Sequence, residues 1–77
     1  MKSNFTREYA VFLEVLINAR KRQGLTQQAL ADLLNKPQSF VSKYESGERR
    51  LDVVEFCQLA KVIGQSPAEL LQEMGFV

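Results

Sequence analysis

The chain reads as an all-α domain, a compact five-helix bundle with a helix-turn-helix. Three observations point there. Apolar residues recur at three- and four-residue spacing along most of the sequence. No run alternates with the period of two that a half-buried strand requires. Gly24, Gly47, Gly64 and Gly75 each fall just past a helical stripe, where a helix stops.

The first helix is expected from about Thr6 to Gln23. Phe5, Tyr9, Phe12, Leu13, Leu16, Ile17 and Arg20 share one stripe. Arg20, Lys21 and Arg22 sit in its last turn, where cations suit the helix dipole. The second runs from Thr26, a good N-cap, to Leu34, with Leu30, Ala31, Leu33 and Leu34 as its apolar face and Asn35 as the turn residue. The third starts at Pro37 or Gln38 and ends at Glu45, with Val41 and Tyr44 facing inward. The fourth spans Asp52 to Ile63. Asp52 and Glu55 are spaced as a capping box, and Leu51 and Phe56 as a hydrophobic staple. Its inner face is read as Val53, Phe56, Cys57, Ala60 and Ile63. The fifth runs from Ser66 to Met74, opened by Ser66-Pro67-Ala68-Glu69.

Seventy-seven residues make one domain, 1–77, with a modest core. A single cysteine, Cys57, excludes an internal disulfide framework and a paired-cysteine metal site, and it is expected to pack as a small apolar residue. The absence of histidine removes the commonest general base and most zinc chemistry. With no phosphate-cradling glycine loop either, an enzyme is disfavoured and no cofactor or metal is expected. No segment reaches the about 18 apolar residues of a membrane span. The apolar run Ala10–Ile17 is broken by Glu14 and lacks a cleavage site downstream, so it reads as helix rather than signal peptide, and the expected compartment is the cytoplasm. Net charge is only +1, but it is unevenly spread. Residues 1–51 carry nine Lys/Arg against five Asp/Glu, net +4, and residues 52–77 carry one against four, net −3. That asymmetry suits a protein meeting a polyanion on one side.

The stretch from Gly24 to Arg50 carries the chemistry. Two short helices separated by Asn35-Lys36 make a helix-turn-helix, and the first is too short to stand alone, so it braces the second. On that second helix Ser39, Ser42 and Lys43 face away from Val41 and Tyr44, with Gln38 at the open N-terminus. A small polar face of this kind fits a major groove about 12 Å wide. Glutamine can pair with adenine N6/N7, lysine can donate to guanine O6/N7, and serine can do either. Lys36, Arg49 and Arg50 flank the face at positions suited to phosphates, and the N-terminus of the preceding helix, with Gln27 just inside it, offers N–H groups to another.

The ordered set Gly24-Leu25-Thr26-Gln27, Leu30-Ala31 and Val41-Ser42-Lys43-Tyr44-Glu45-Ser46-Gly47-Glu48-Arg49 resembles the phage-repressor and Cro-like (XRE-type) helix-turn-helix family. The likeness continues through Leu59-Ala60 and Gly64 to Ser66-Pro67-Ala68-Glu69-Leu70, so it covers roughly residues 12–71. It implies a lambda-repressor-like domain that binds operator DNA as a two-fold dimer. It implies a phosphate contact from Gln27, base contacts from Gln38, Ser39, Lys43 and Ser42, and an Arg20–Glu45 pair. Pro37 departs from the pattern, which commonly has a Ser or Thr cap there.

Plainer readings stand beside these. Lys43 is otherwise a solvated lysine. Ser42 packs equally well at the contact between the second and third helices. Glu48 can pair with Arg49 or Arg50 and occupy it. Phe40 lies at the edge between the two faces and is expected to be partly buried. Val11, Val15, Leu71, Met74, Phe76 and Val77 either cover one another within the chain or form a dimer interface around the last helix. The leading reading is a sequence-specific transcription regulator, a repressor or operon controller acting on a palindromic operator as a homodimer. Its short form is similar to controller proteins of restriction–modification systems and to small phage or plasmid repressors. The alternative is an antitoxin-type interaction module on the same fold.

Overall fold

A computed structural model describes residues 6–77 and places five helices in that span: α1 (Arg7–Arg22), α2 (Gln27–Leu34), α3 (Gln38–Glu45), α4 (Val53–Ile63) and α5 (Pro67–Met74). No strand occurs among the described residues, and none of the helices is long and apolar enough to cross a membrane. Phe5, expected on the α1 stripe, lies outside the described residues.

Local chemistry sets the helix ends. The Thr6 hydroxyl accepts from the Tyr9 N–H (3.1 Å), and the Thr26 hydroxyl from the Ala29 N–H (3.0 Å). The capping box at α4 is complete: the Asp52 carboxylate accepts from the Glu55 N–H (2.7 Å), and Glu55 accepts from the Asp52 N–H (3.0 Å). Ser66 caps α5 with Pro67 in the first turn. Asn35 is the only described non-glycine residue with positive φ, at 58°. Its left-handed backbone stops α2, and the adjoining Lys36 N–H bonds back to the Ala31 carbonyl (2.9 Å). Two residues later α3 begins in a new direction.

The core is one cluster. Leu16 and Ala19 of α1, Leu30 and Ala31 of α2, Val41 and Tyr44 of α3, Leu59 and Ala60 of α4 and Leu70 of α5 are essentially inaccessible to solvent. α2 packs chiefly on α3 and α4, while α5 packs on α1 and α4. α3 is therefore held from behind, with its outer face left to solvent. Val15 and Met74 are buried, and Val11 and Leu71 are half-buried against the core, so α1 and α5 cover much of each other's apolar surface within one chain.

Three expected inward positions face out. Cys57 is exposed because it follows Phe56 by about 100° on a helix whose inner face is taken by Phe56, Leu59, Ala60 and Ile63. Val53 is 72% exposed. It opens α4, one turn before Phe56, and reaches the rim of a groove rather than the core. Leu33 is 52% exposed, since Leu30, Ala31 and Leu34 already fill the narrow face that α2 presents inward.

Candidate nucleic-acid interface

α3 has one buried and one open face. Val41 and Tyr44 have no solvent exposure, while Gln38, Ser39 and Lys43 are exposed. Ser42 is half-buried, between the two faces, and so is Phe40. Pro37 takes the N-cap position without a side-chain hydrogen bond, so no cap covers the first turn. Burial of the Tyr44 hydroxyl, which has no hydrogen-bond partner among the described residues, pushes its phenol well above the ordinary tyrosine value.

Behind this face a chain of side chains runs from the core to the surface. Arg20 donates through Nε to Glu45 Oε2 (2.7 Å) and through its terminal nitrogens to Glu45 Oε1 (3.1 Å) and the Leu25 carbonyl (2.8 Å). The pair is buried, with side chains 9% and 6% exposed. Such a pair pins the last residue of α3 to α1, as the resemblance implied. Gln27 Nε2 donates to the same Glu45 Oε1 (2.9 Å), and Gln38 Nε2 donates to Gln27 Oε1 (2.7 Å). Gln27 was expected to face a phosphate. In the structure its side chain bridges the buried Glu45 carboxylate and Gln38, and its backbone N–H lies in the first turn of α2. With one Gln38 N–H directed at Gln27, its second N–H and its carbonyl remain for an outside partner, the donor–acceptor pair that the adenine edge requires. Only the three-dimensional fold brings residues 20, 27, 38 and 45 together, so their separation along the chain gave no sign of this relay.

Lys36, Arg49 and Arg50 are exposed and flank α3. The Lys36 ammonium lies 5.3 Å from the centre of the Phe40 ring, and the Arg49 guanidinium lies 4.9 Å from it. The Arg50 guanidinium sits 4.0 Å from the Tyr9 ring centre. Glu48 was one candidate partner for these arginines, but Arg49 is taken by Glu55. Its two terminal nitrogens meet both Glu55 oxygens at 2.8 and 3.1 Å, and one of them also donates to the Arg50 carbonyl (3.0 Å). The hydrogen bond from Arg49, followed by that from the Asp52 N–H, holds the Glu55 carboxyl at about 2, well below the ordinary carboxylate value. Sequence reading identified Glu55 as a capping-box residue and missed this second use of the same side chain.

A further surface lies away from α3. A groove of about 310 Å³ is lined by Tyr9, Phe12, Leu51, Phe56, Leu71 and Phe76, with Val53 at its edge. Tyr9, Phe12 and Phe56 form a ladder with centroids 5.3 and 5.5 Å apart, and the Tyr9 hydroxyl accepts from the Leu51 N–H (3.1 Å). Val54, Phe76 and Val77 are also exposed.

The chain matches the helix-turn-helix family model over residues 16–70, which takes in α2 and α3 whole. Its fold is similar to that of a solved structure described as an XRE-family like protein from Pseudomonas syringae pv. tomato str. DC3000. The TM-score is 0.84 and the identity 47%, over 88% of this chain and 83% of that one. None of the curated proteins matches. With a family match over most of its length and a relative at that identity, the chain belongs to the XRE-type helix-turn-helix family, whose members point to DNA-binding transcription regulation.

Proposed function

We propose that the protein is a sequence-specific transcription regulator of the cytoplasm, a repressor or operon controller, that binds a palindromic operator as a homodimer. The observation that carries this reading is the exposed polar face of α3, with Gln38 aligned from behind by the Arg20–Glu45–Gln27 relay. An α-helix whose inner face is locked in a core presents its outer residues to the major groove with the backbone already ordered. In this reading Gln38 takes an adenine edge through its remaining N–H and carbonyl, and Lys43 donates to guanine O6/N7. Ser39 contacts a base edge directly, and Ser42, half-buried, does so at the margin. Lys36, Arg49 and Arg50 meet phosphates, and Gln27 contributes through its backbone N–H.

Two-fold association is supported by the apolar groove, with Val53 and Phe76 in its lining, and by the exposure of Val54 and Val77. Half-sites are then expected about 34 Å apart, one helical turn. The same surface favours the second reading, an antitoxin-type module that also holds a protein partner there.

Selection of bound duplexes from a random pool tests the proposal. An enriched palindrome of fixed spacing supports a dimeric regulator. An enriched site without symmetry retains sequence-specific binding and removes the dimer. No enrichment, at salt low enough for general binding, rejects sequence specificity and favours the partner-binding reading.

A further inference from the structure

At the edge of α3, Lys36 from the turn before the helix and Arg49 from the loop after it reach the same ring, Phe40, at 5.3 and 4.9 Å. Tyr44 supports that ring edge-on from the core side, 5.7 Å between centres. Two cations from opposite ends of the helix thus converge on one aromatic platform. Phe40 follows Ser39, so the platform borders the face assigned to base contacts, where the backbone of one DNA strand would run.

One of the two cations is already occupied. The two-pronged face of the Arg49 guanidinium, the face a phosphate takes, is filled by both oxygens of Glu55. The arginine side of this pair is open to water, with the Arg49 side chain 42% exposed and that of Glu55 19%. Exposed pairs are held weakly and screened by salt. Glu55 also has a second hold that does not involve Arg49, the Asp52 N–H at 3.0 Å. The fold therefore contains an internal anion on the phosphate-binding face of a surface arginine, with an anchor of its own.

We propose that Lys36, Phe40 and Arg49 form a clip for backbone phosphate on one DNA strand, and that Glu55 fills the clip in the free protein and yields Arg49 to phosphate on binding. This rests on the DNA-binding reading and extends it. Glu55, which touches no DNA, then sets the electrostatic threshold for binding. It lowers affinity for every duplex by the same factor and leaves the ratio between sites unchanged.

The test is a salt titration of binding to a fluorescein-labelled duplex of arbitrary sequence, followed by anisotropy. The proteins are wild type, Glu55→Gln, Arg49→Ala, the double variant and Lys36→Ala. Glutamine retains an acceptor for the Asp52 N–H, and thermal melts verify that each variant is folded. Glu55→Gln is expected to tighten binding several-fold at low salt and to steepen the slope of log K against log salt by up to about one. In the Arg49→Ala background the same change is expected to do almost nothing. Lys36→Ala is expected to flatten the slope by about one. Equal tightening in both backgrounds assigns the effect to the charge of Glu55 acting through space and overturns the clip. Weaker binding by Glu55→Gln at unchanged slope means that Arg49 stays on Glu55 as a strut, which also overturns it. Failure of the wild type to bind any duplex rejects the DNA-binding reading itself.

Discussion

The two arginine–glutamate pairs that bracket the end of α3 differ more in surroundings than in geometry. Arg20–Glu45 closes at 2.7 Å and Arg49–Glu55 at 2.8 Å, and each carboxylate accepts from two guanidinium nitrogens. The first is buried, and the second is open to water on its arginine side. Burial removes the option of solvation, so the first pair, tied as well to Gln27 and the Leu25 carbonyl, acts as a fixed joint between α1, α2 and α3. Exposure leaves water, salt and phosphate competing for the second, so it holds its place only until a better anion arrives. The same two side-chain types thus provide rigidity behind the candidate recognition face and exchangeability beside it.

Breaking the buried joint should have the largest effect. Arg20→Met leaves the buried Glu45 carboxylate without a counter-charge, held only by the Gln27 amide, and is expected to cost about 3–5 kcal/mol of stability in urea denaturation. The double change Arg20→Met, Glu45→Leu should recover much of that, because no lone charge remains. If the single change cost no more than a surface substitution, the contrast between the two pairs would collapse.

Next in size is the candidate recognition face. Lys43→Ala is expected to weaken binding at a selected site by about 1–3 kcal/mol, measured by competition with unlabelled operator, while leaving the melting temperature near that of the wild type.

A smaller effect sharpens the picture of the buried side. Tyr44 carries a hydroxyl into the core with no partner among the described residues. Removing it as Tyr44→Phe should stabilise the fold by about 1 kcal/mol, since an unsatisfied buried hydroxyl costs free energy. A loss of stability in thermal denaturation would mean that the hydroxyl is satisfied in solution.

The smallest effect reads the exposed pair. The Glu55 carboxyl titrates at about 2 in the folded protein against an ordinary value of 4.5. A depressed folded value means that the ionised form stabilises the fold. That contribution is complete above about pH 4.5 and declines as pH falls toward 2. Glu55→Gln should therefore flatten the acid limb of the stability curve between those values, with little change at neutral pH beyond the loss of the exposed pair. An acid limb identical to wild type would show that the pair is absent in solution.

Much of this arrangement was legible in the chain itself. The N-caps at Thr6, Thr26 and Ser66, the Asp52–Glu55 capping box, Asn35 and the glycines act on their immediate neighbours, so their spacing locates all five helices to within a residue or so. The outward side of α3 follows from the same periodicity. Val53, Cys57 and Leu33 were misread because apolar character says that a residue can be buried, whereas the width of the packed face decides whether it is. The relay through Gln27 was not visible, because it joins polar residues of separate helices, and the Arg49–Glu55 pair was not visible, because it depends on the path of the irregular loop before α4. Only Arg20–Glu45 was anticipated, and that through family resemblance rather than periodicity.

The most direct test of the central claim, that the exposed face of α3 reads DNA sequence, is a parallel selection from one random duplex pool with wild type, Gln38→Ala and Lys43→Ala. The expected result is a shared consensus in which each variant loses preference at a different position and retains the others. An unchanged consensus in both variants would contradict the assignment and place sequence recognition elsewhere on the molecule.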